Sequence, residues 1–222
     1  GDGDRLGAIG ENGNFVSSHH IFAIVLDYLI KNRKMTGKVV KTVSTSSIID
    51  RICKKHNLEL KTTPVGFIYI REEILSGNIL MGGEESGGLW IKGYIPERDG
   101  IFMSLILIEI LCTEEKSINE ILKKIYNNYG FFLYRRADYE IDMERKSNLQ
   151  EMLEKSIPEE LKAEGASNPV KIDGYKYFFG DSSWIMIRPS GTESVIRVYA
   201  ESDTSKKLEY LHELGKRIIF KN

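Results

Sequence analysis

Apolar residues recur along this chain with two periods, and the changes between them mark its elements. From Ser18 the positions Ile21, Phe22, Val25, Leu26, Leu29 and Ile30 fall three or four apart. That spacing predicts a helix of about four turns, with Ser17 or Ser18 as its N-cap. Beyond it the pattern predicts a strand at 39–43, a helix at 46–56, a strand at 58–62, a helix at 66–75 and a strand at 79–81. Strands alternating with helices indicate an α/β domain, with a mixed, mostly parallel sheet and flanking helices. Two more helices are expected: 101–111, begun by Asp99-Gly100, and 118–129, capped by Ser117 and stopped at Gly130. Ahead of all these, Glu11-Asn12-Gly13-Asn14 reads as a turn joining 6–9 to 15–16 in a short hairpin.

After Gly130 the order changes, so the domain boundary is placed there. A strand at 132–141 and a helix at 146–156 lead into a polar stretch at 158–169. Close-set strands follow at 170–172, 175–179, 184–187 and 195–200, with Asp173-Gly174 turning between the first two. A final helix from Ser205 is expected to bury Leu208, Leu211, Leu214 and Ile218. This part reads as a small α+β domain with a mainly antiparallel sheet.

Composition narrows the function. With 31 Lys plus Arg against 32 Asp plus Glu, the formal charge of −1 gives no general field for nucleic acid or an anionic membrane, so any anion must be held locally. Cys53 and Cys112 lie far apart and outside any C-x-x-C spacing, which argues against a disulfide framework or a cysteine zinc site and predicts a cytoplasmic protein. Both are expected on buried helical faces. The longest apolar run, 101–112, is broken by Ser104 and Glu109 and is shorter than the roughly 20 residues a bilayer span requires. His19 and His20 sit at a helix start, where a surface or capping role is expected. The chain opens on Gly1 with no initiator Met or leader, and is expected to be part of a longer protein.

Three loops carry candidate chemistry. In Gly1-Asp2-Gly3-Asp4-Arg5, alternate residues of an extended segment point the same way, so Asp2 and Asp4 can present two carboxylates to one hard cation. The same residues also suit a solvated Asp-Gly turn. Gly82-Gly83-Glu84-Glu85-Ser86-Gly87-Gly88 follows a predicted strand, at the end of an α/β sheet where ligands bind. Its carboxylate and hydroxyl among glycines suit vicinal sugar hydroxyls, or form a flexible surface turn. Arg188-Pro189-Ser190-Gly191-Thr192-Glu193-Ser194 lies between two β-patterned runs. Arg188 supplies a planar fork of donors, Ser190 and Thr192 supply hydroxyls, and the Gly191 amide can point inward, a set that suits phosphate or makes a polar turn.

Taken in this order and at these separations, the three loops resemble those of the α-D-phosphohexomutase family, the phosphoglucomutase/phosphomannomutase enzymes, across the whole chain. In that family a D-G-D-x-D-R loop in the second domain binds magnesium, a G-E-x-S-G loop in the third reads the sugar, and an R-x-S-x-T loop in the fourth holds phosphate. The resemblance therefore implies that residues 1–16 are the tail of the metal-loop domain, 17–130 a sugar-binding domain and 131–222 a phosphate-binding domain. Asp2 and Asp4 match the second and third metal aspartates, and the chain begins one residue after the first. Arg5 matches the catalytic arginine beside the phosphoserine. Glu84 and Ser86 match the sugar readers, and Arg188, Ser190, Gly191 and Thr192 the phosphate cradle.

The implied activity is interconversion of hexose 1-phosphate and hexose 6-phosphate, glucose or mannose, through a phosphoserine and a bound hexose 1,6-bisphosphate. Mg2+ and the bisphosphate are the implied cofactors. A phosphosugar and the missing amino-terminal domains of the same polypeptide are the implied partners, with no nucleic acid and no membrane. Lacking the serine domain, the chain alone is expected to be inactive. Gly88 and Ile68 stand where some relatives carry His and Lys, so neither can be the general acid or base and that group is unassigned. Phosphoglucosamine mutase is a close alternative, disfavoured because that subtype tends to carry Gln and His where this chain has Glu85 and Gly88. A non-catalytic phosphosugar-binding module is the alternative from another class.

Overall fold

A computed structural model describes residues 2–180 and 183–221. The chain divides into two compact units between Gly130 and Phe131. Gly1, at the head of the expected metal loop, lies outside the described residues.

The first unit opens with a hairpin of β1 (Ala8–Ile9) and β2 (Phe15–Val16) and continues with α1 (Ser18–Lys31), β3 (Lys38–Thr42), α2 (Ile48–Lys55), β4 (Leu60–Thr63), α3 (Phe67–Ser76), β5 (Ile79–Gly83), β6 (Leu89–Ile91), α4 (Gly100–Glu114) and α5 (Ile118–Tyr129). The sheet order is β4-β3-β5-β6. β3 runs parallel to β4 and β5, while β6 returns antiparallel to β5. Strand β6 escaped the sequence pattern because its three residues, Leu89, Trp90 and Ile91, are all buried and show no alternation. Its presence turns residues 84–88 into the tip of a tight hairpin instead of a long crossover loop.

Two glycines explain how that hairpin fits between helices. Successive strand residues face opposite sides of the sheet. A Cβ on Gly82 would lie 2.6 Å from Ile70 of α3, and one on Gly83 would lie 2.7 Å from the Phe22 ring of α1. The helices therefore close on bare backbone at the end of β5.

The second unit comprises β7 (Leu133–Glu140), α6 (Met143–Lys155), α7 (Glu159–Ala163), β8 (Tyr175–Phe179), β9 (Ser183–Pro189), β10 (Val195–Ser202) and α8 (Ser205–Phe220). Its sheet is antiparallel throughout, in the order β7-β10-β9-β8. One core joins Tyr177, Ile185, Ile187, Ile196 and Val198 to Leu149 and Leu153 of α6, Leu161 of α7, and Leu208, Leu211, Leu214 and Ile218 of α8. The expected strand at 170–172 reduces to a single bridge between Val170 and Lys176. Helix α6 starts earlier than expected because Asp142 accepts the Arg145 amide at 2.7 Å and caps it. No helix among the described residues is long and apolar enough to cross a membrane.

The cysteines and histidines depart from expectation in part. Cys53 is buried, and burial pushes its thiol up to about 12, whereas Cys112 is exposed. Neither histidine is a surface residue: His19 is 2% exposed and its Nδ1 accepts the Ser46 amide at 3.3 Å. His20 takes the capping role expected of it at the start of α1, where its Nδ1 accepts the Ser17 amide at 3.2 Å, and its Nε2 lies 2.8 Å from the Tyr126 hydroxyl. That bonding fits a neutral ring carrying its proton on Nε2. Burial pushes His20 down from 6.5 to about 4. The unfolded chain takes up this proton first as pH falls, so the stabilising contribution is complete above about 6.5 and is lost progressively toward about 4. About 3 kcal/mol is at stake over the window. Denaturant melts at pH 7.5 and 4.5 should therefore show a loss that shrinks in His20→Gln; an equal loss in the variant would remove His20 as its source.

Candidate functional site

The amino-terminal segment is fixed against the hairpin tip of the first unit. Leu6 donates its amide to the Gly87 carbonyl at 3.1 Å, and the Gly100 amide donates to the Gly3 carbonyl at 2.8 Å. Gly100 must be glycine for this approach, since a Cβ would sit 2.4 Å from the Arg5 carbonyl oxygen. At the tip itself, Glu84 and Gly88 close the turn through a 3.0 Å bond from the Glu84 amide to the Gly88 carbonyl. Gly87 adopts φ +104°, a conformation that side chains other than glycine rarely take.

Glu84 is 5% exposed, and its Oε1 accepts from Ser86 Oγ at 2.6 Å and from Arg98 Nη1 at 2.7 Å. Arg98 also places Nε 2.7 Å from Asp4 Oδ2, with its guanidinium over the Phe67 ring. One guanidinium therefore ties the expected sugar carboxylate to an expected metal carboxylate. Sequence reading missed Arg98. The available signal was Asp99-Gly100: Asp99 caps α4 by accepting the Phe102 amide at 2.8 Å, which fixes its neighbour at the helix entry. A Cβ on Gly88 would lie 2.7 Å from Arg98 Cδ and 2.9 Å from Glu84 Oε1, so any larger residue here would displace this pair.

Glu85 points the other way. Its carboxylate accepts from Thr42 at 2.9 Å and from Ser44 at 2.6 Å, while its carbonyl accepts from Ser18 at 2.5 Å. Thr42, Ser44, Thr45 and Ser46 are fully buried at the end of β3. These hydroxyls anchor the hairpin tip from beneath. Lys41, buried at 3% exposure, ion-pairs with Asp50 and donates to the Ser46 carbonyl at 3.2 Å, which holds the β3–α2 loop in turn.

Asp2 and Asp4 stand close enough to interact. Burial works against ionisation of Asp4, but hydrogen bonding to the Asp2 carboxyl and the charges of Arg98 and Arg5 outweigh it and hold Asp4 below the usual carboxylate range. Arg5 lies 3.5 Å from Asp4 and its side chain is largely exposed. The pair fits a hard cation in part: its oxygens are of the right kind for Mg2+, but Mg2+ takes six. Among the described residues no group of three or more His, Cys, Asp or Glu is arranged to hold a metal.

In the second unit, residues 190–194 form the turn between β9 and β10, closed by the Ser190 amide donating to the Val195 carbonyl at 2.9 Å. Ser190 is buried, and its Oγ accepts the Glu193 amide at 3.2 Å. Gly191 and Thr192 are exposed, and no atom lies within 4 Å of where a Gly191 Cβ would stand. Their amides donate to no acceptor among the described residues. An anion thus has room and free donors at the turn. Arg188 stands at its base with Nη2 3.0 Å from Asp173, while its buried Nε has no acceptor. Burial lowers its affinity for a proton, but the Asp173 hydrogen bond and charge prevail and raise it above the usual arginine value. The structure thus brings Asp2, Asp4, Arg5, Glu84 and Ser86 together in one unit and Arg188, Ser190, Gly191 and Thr192 together in the other.

Comparison with known proteins identifies the family of both units. Residues 17–129 match the family model described as phosphoglucomutase/phosphomannomutase, alpha/beta/alpha domain III, and residues 108–214 match the model of the C-terminal domain of the same family. A phosphoglucomutase/phosphomannomutase of Thermococcus kodakarensis is 29% identical over 219 residues, covering 99% of this chain and 45% of the relative. A phosphoglucosamine mutase of Methanocaldococcus jannaschii is 31% identical over 229 residues, covering 99% and 47%. Among solved structures, the open form of the Paramecium phosphoglucomutase parafusin superposes with a TM-score of 0.83 at 26% identity, covering 99% of this chain and 44% of that one. The chain spans about half the length of the curated relatives it matches.

Proposed function

The chain belongs to the phosphoglucomutase/phosphomannomutase family, and on that footing we propose that it is the carboxyl-terminal part of a phosphohexomutase that interconverts the 1-phosphate and 6-phosphate of glucose or mannose. The observation that carries the reading is the Glu84–Ser86–Arg98 cluster: a buried carboxylate and a hydroxyl, held at a glycine-lined hairpin tip, suit two neighbouring sugar hydroxyls. The turn at 190–194, with free amides at Gly191 and Thr192 and the Arg188 guanidinium at its base, suits the phosphate that is not reacting.

In this reading a phosphoserine elsewhere in the polypeptide donates to the free hydroxyl of the substrate, and the bisphosphate returns its other phosphate after turning end for end. The sugar's 3- and 4-hydroxyls nearly exchange places on that turn, so Glu84 and Ser86 serve both orientations. Arg5 would stand beside the phosphoserine. Mg2+, held in part by Asp2 and Asp4, would supply positive charge to the reacting phosphate. The partners of this chain would be the phosphosugar and the preceding domains of the same polypeptide, in the cytoplasm.

The relative named phosphoglucosamine mutase supports a second reading, in which the substrate is an amino sugar. The ground for favouring the neutral hexoses over it is the sequence at Glu85 and Gly88, where that subtype tends to carry Gln and His. Supplied with glucose 1,6-bisphosphate and Mg2+, the 222-residue chain should convert no glucose 1-phosphate, because electrostatic help cannot replace a missing nucleophile. It should still bind glucose 6-phosphate. Turnover by the chain alone would place the attacking group within these residues and overturn the assignment.

A further inference from the structure

We infer that Lys146 is a positioning residue for the phosphate-binding turn, acting through the main chain of Glu193. This rests on the reading of Arg188 to Thr192 as the phosphate cradle. Lys146 lies in the first turns of α6 and is 7% exposed. Its ammonium donates to the Glu193 carbonyl at 2.8 Å and forms no ion pair within 4 Å among the described residues. A buried ammonium without a counter-charge is costly unless the site repays it. Its placement at the foot of a turn whose exposed side offers free amides supplies a reason for keeping it.

The carbonyl it holds is the leverage point. In a planar trans peptide the C=O and the following N–H point in opposite directions, so fixing the Glu193 oxygen fixes that peptide plane and limits the planes before it. A second tie acts beside it, where the Ile141 amide donates to the Ser194 carbonyl at 3.1 Å. Together they pin the carboxyl side of the turn to the β7–α6 junction. The Glu193 side chain is held as well, by Arg197. Gly191 and Thr192, by contrast, have only the chain on either side to orient their amides. Without Lys146 the carboxyl side of the turn loses one of its two ties, and the Gly191 and Thr192 amides lose part of what limits their orientation.

The test uses the 222-residue chain with glucose 6-phosphate as the probe, read by calorimetric titration and by the amide signals of Gly191 and Thr192. Lys146→Met should weaken binding by roughly five- to fifty-fold, the range of a charge-assisted contact that acts indirectly. Lys146→Arg should recover most of it, since a guanidinium keeps both the charge and a donor. A purely structural role would lower the melting temperature while leaving the affinity of the folded fraction unchanged. Arg188→Ala is measured alongside. Wild-type affinity in Lys146→Met, with Arg188→Ala weakened, would overturn the role of Lys146 alone. Wild-type affinity in both would remove the phosphate from this turn and the inference with it. If Lys146→Met does not fold, Lys146→Gln replaces it, and wild-type affinity there would overturn the role of Lys146 in the same way.

Discussion

Arg188→Ala should weaken glucose 6-phosphate binding by roughly ten- to a hundred-fold, because a bidentate guanidinium–phosphate pair contributes on the order of 1.5–3 kcal/mol and each 1.4 kcal/mol is tenfold. Asp173 sets the starting point for this loss. It already holds one Nη of Arg188 at 3.0 Å, so part of the guanidinium is occupied before any phosphate arrives. Nε is buried, so the Nη donors not turned to Asp173 are the ones left for an anion. Arg188→Lys should recover only part of the affinity, since an ammonium can satisfy Asp173 but cannot present a planar fork to a second anion. Inorganic phosphate should lose affinity in parallel with glucose 6-phosphate. A phosphosugar affinity that survives Arg188→Ala would take this turn out of ligand binding.

Glu84→Gln should produce a loss of similar size with the opposite selectivity. The carboxylate accepts two bonds on one oxygen, from Ser86 and Arg98, in a nearly closed setting. Its charge strengthens each bond that a sugar hydroxyl donates to it. The amide loses that charge and leaves Arg98 paired with Asp4 alone. Binding of glucose 6-phosphate should fall roughly tenfold or more, and glucose 1-phosphate should suffer equally. Ser86→Ala should cost less, because the serine spends its proton on Glu84 in the free protein. Inorganic phosphate should be indifferent to both changes, which separates this loop's role from that of Arg188. A loss confined to one of the two hexose phosphates would contradict the shared reading of the 3- and 4-hydroxyls.

Much of this arrangement was legible in the residues because it depends on local chemistry. The α/β order was written in alternating periods, and α5 announced itself through Ser117, which in the structure exchanges backbone hydrogen bonds with Glu120 as a capping box. The loops could be found because glycine, carboxylate and hydroxyl must lie next to one another in sequence to act together at a hairpin tip. What escaped detection depends on contacts distant in sequence. Arg98 reaches Asp4 and Glu84 from a loop whose one signal, the Asp99-Gly100 helix start, says nothing of those partners. Lys146 reads as an ordinary helix lysine until β10 is laid beside β7 and brings Glu193 over it. Glu84 and Glu85 are adjacent and chemically identical; the resemblance singled out Glu84, and the buried hydroxyls of Thr42 and Ser44, which hold the Glu85 carboxylate, supply the physical reason that the sequence did not show. Cys112 was misplaced for a related reason: α4 is apolar on nearly every side, so its sequence does not say which face is covered, and Ile101, Leu105 and Ile108 remain exposed with it.

The central proposal is that residues 84–88 read a sugar and residues 188–192 hold a phosphate. The most direct test is an amide-resolved NMR titration of the isotopically labelled chain with glucose 6-phosphate, repeated with inorganic phosphate. Glucose 6-phosphate should shift the amides of both loops to saturation, whereas phosphate alone should shift those of Ser190, Gly191 and Thr192 and leave Glu84 to Gly88 where they were. Glucose 6-phosphate that shifts neither loop, or phosphate that shifts the hairpin at Glu84 and leaves the turn at Gly191 still, would contradict it.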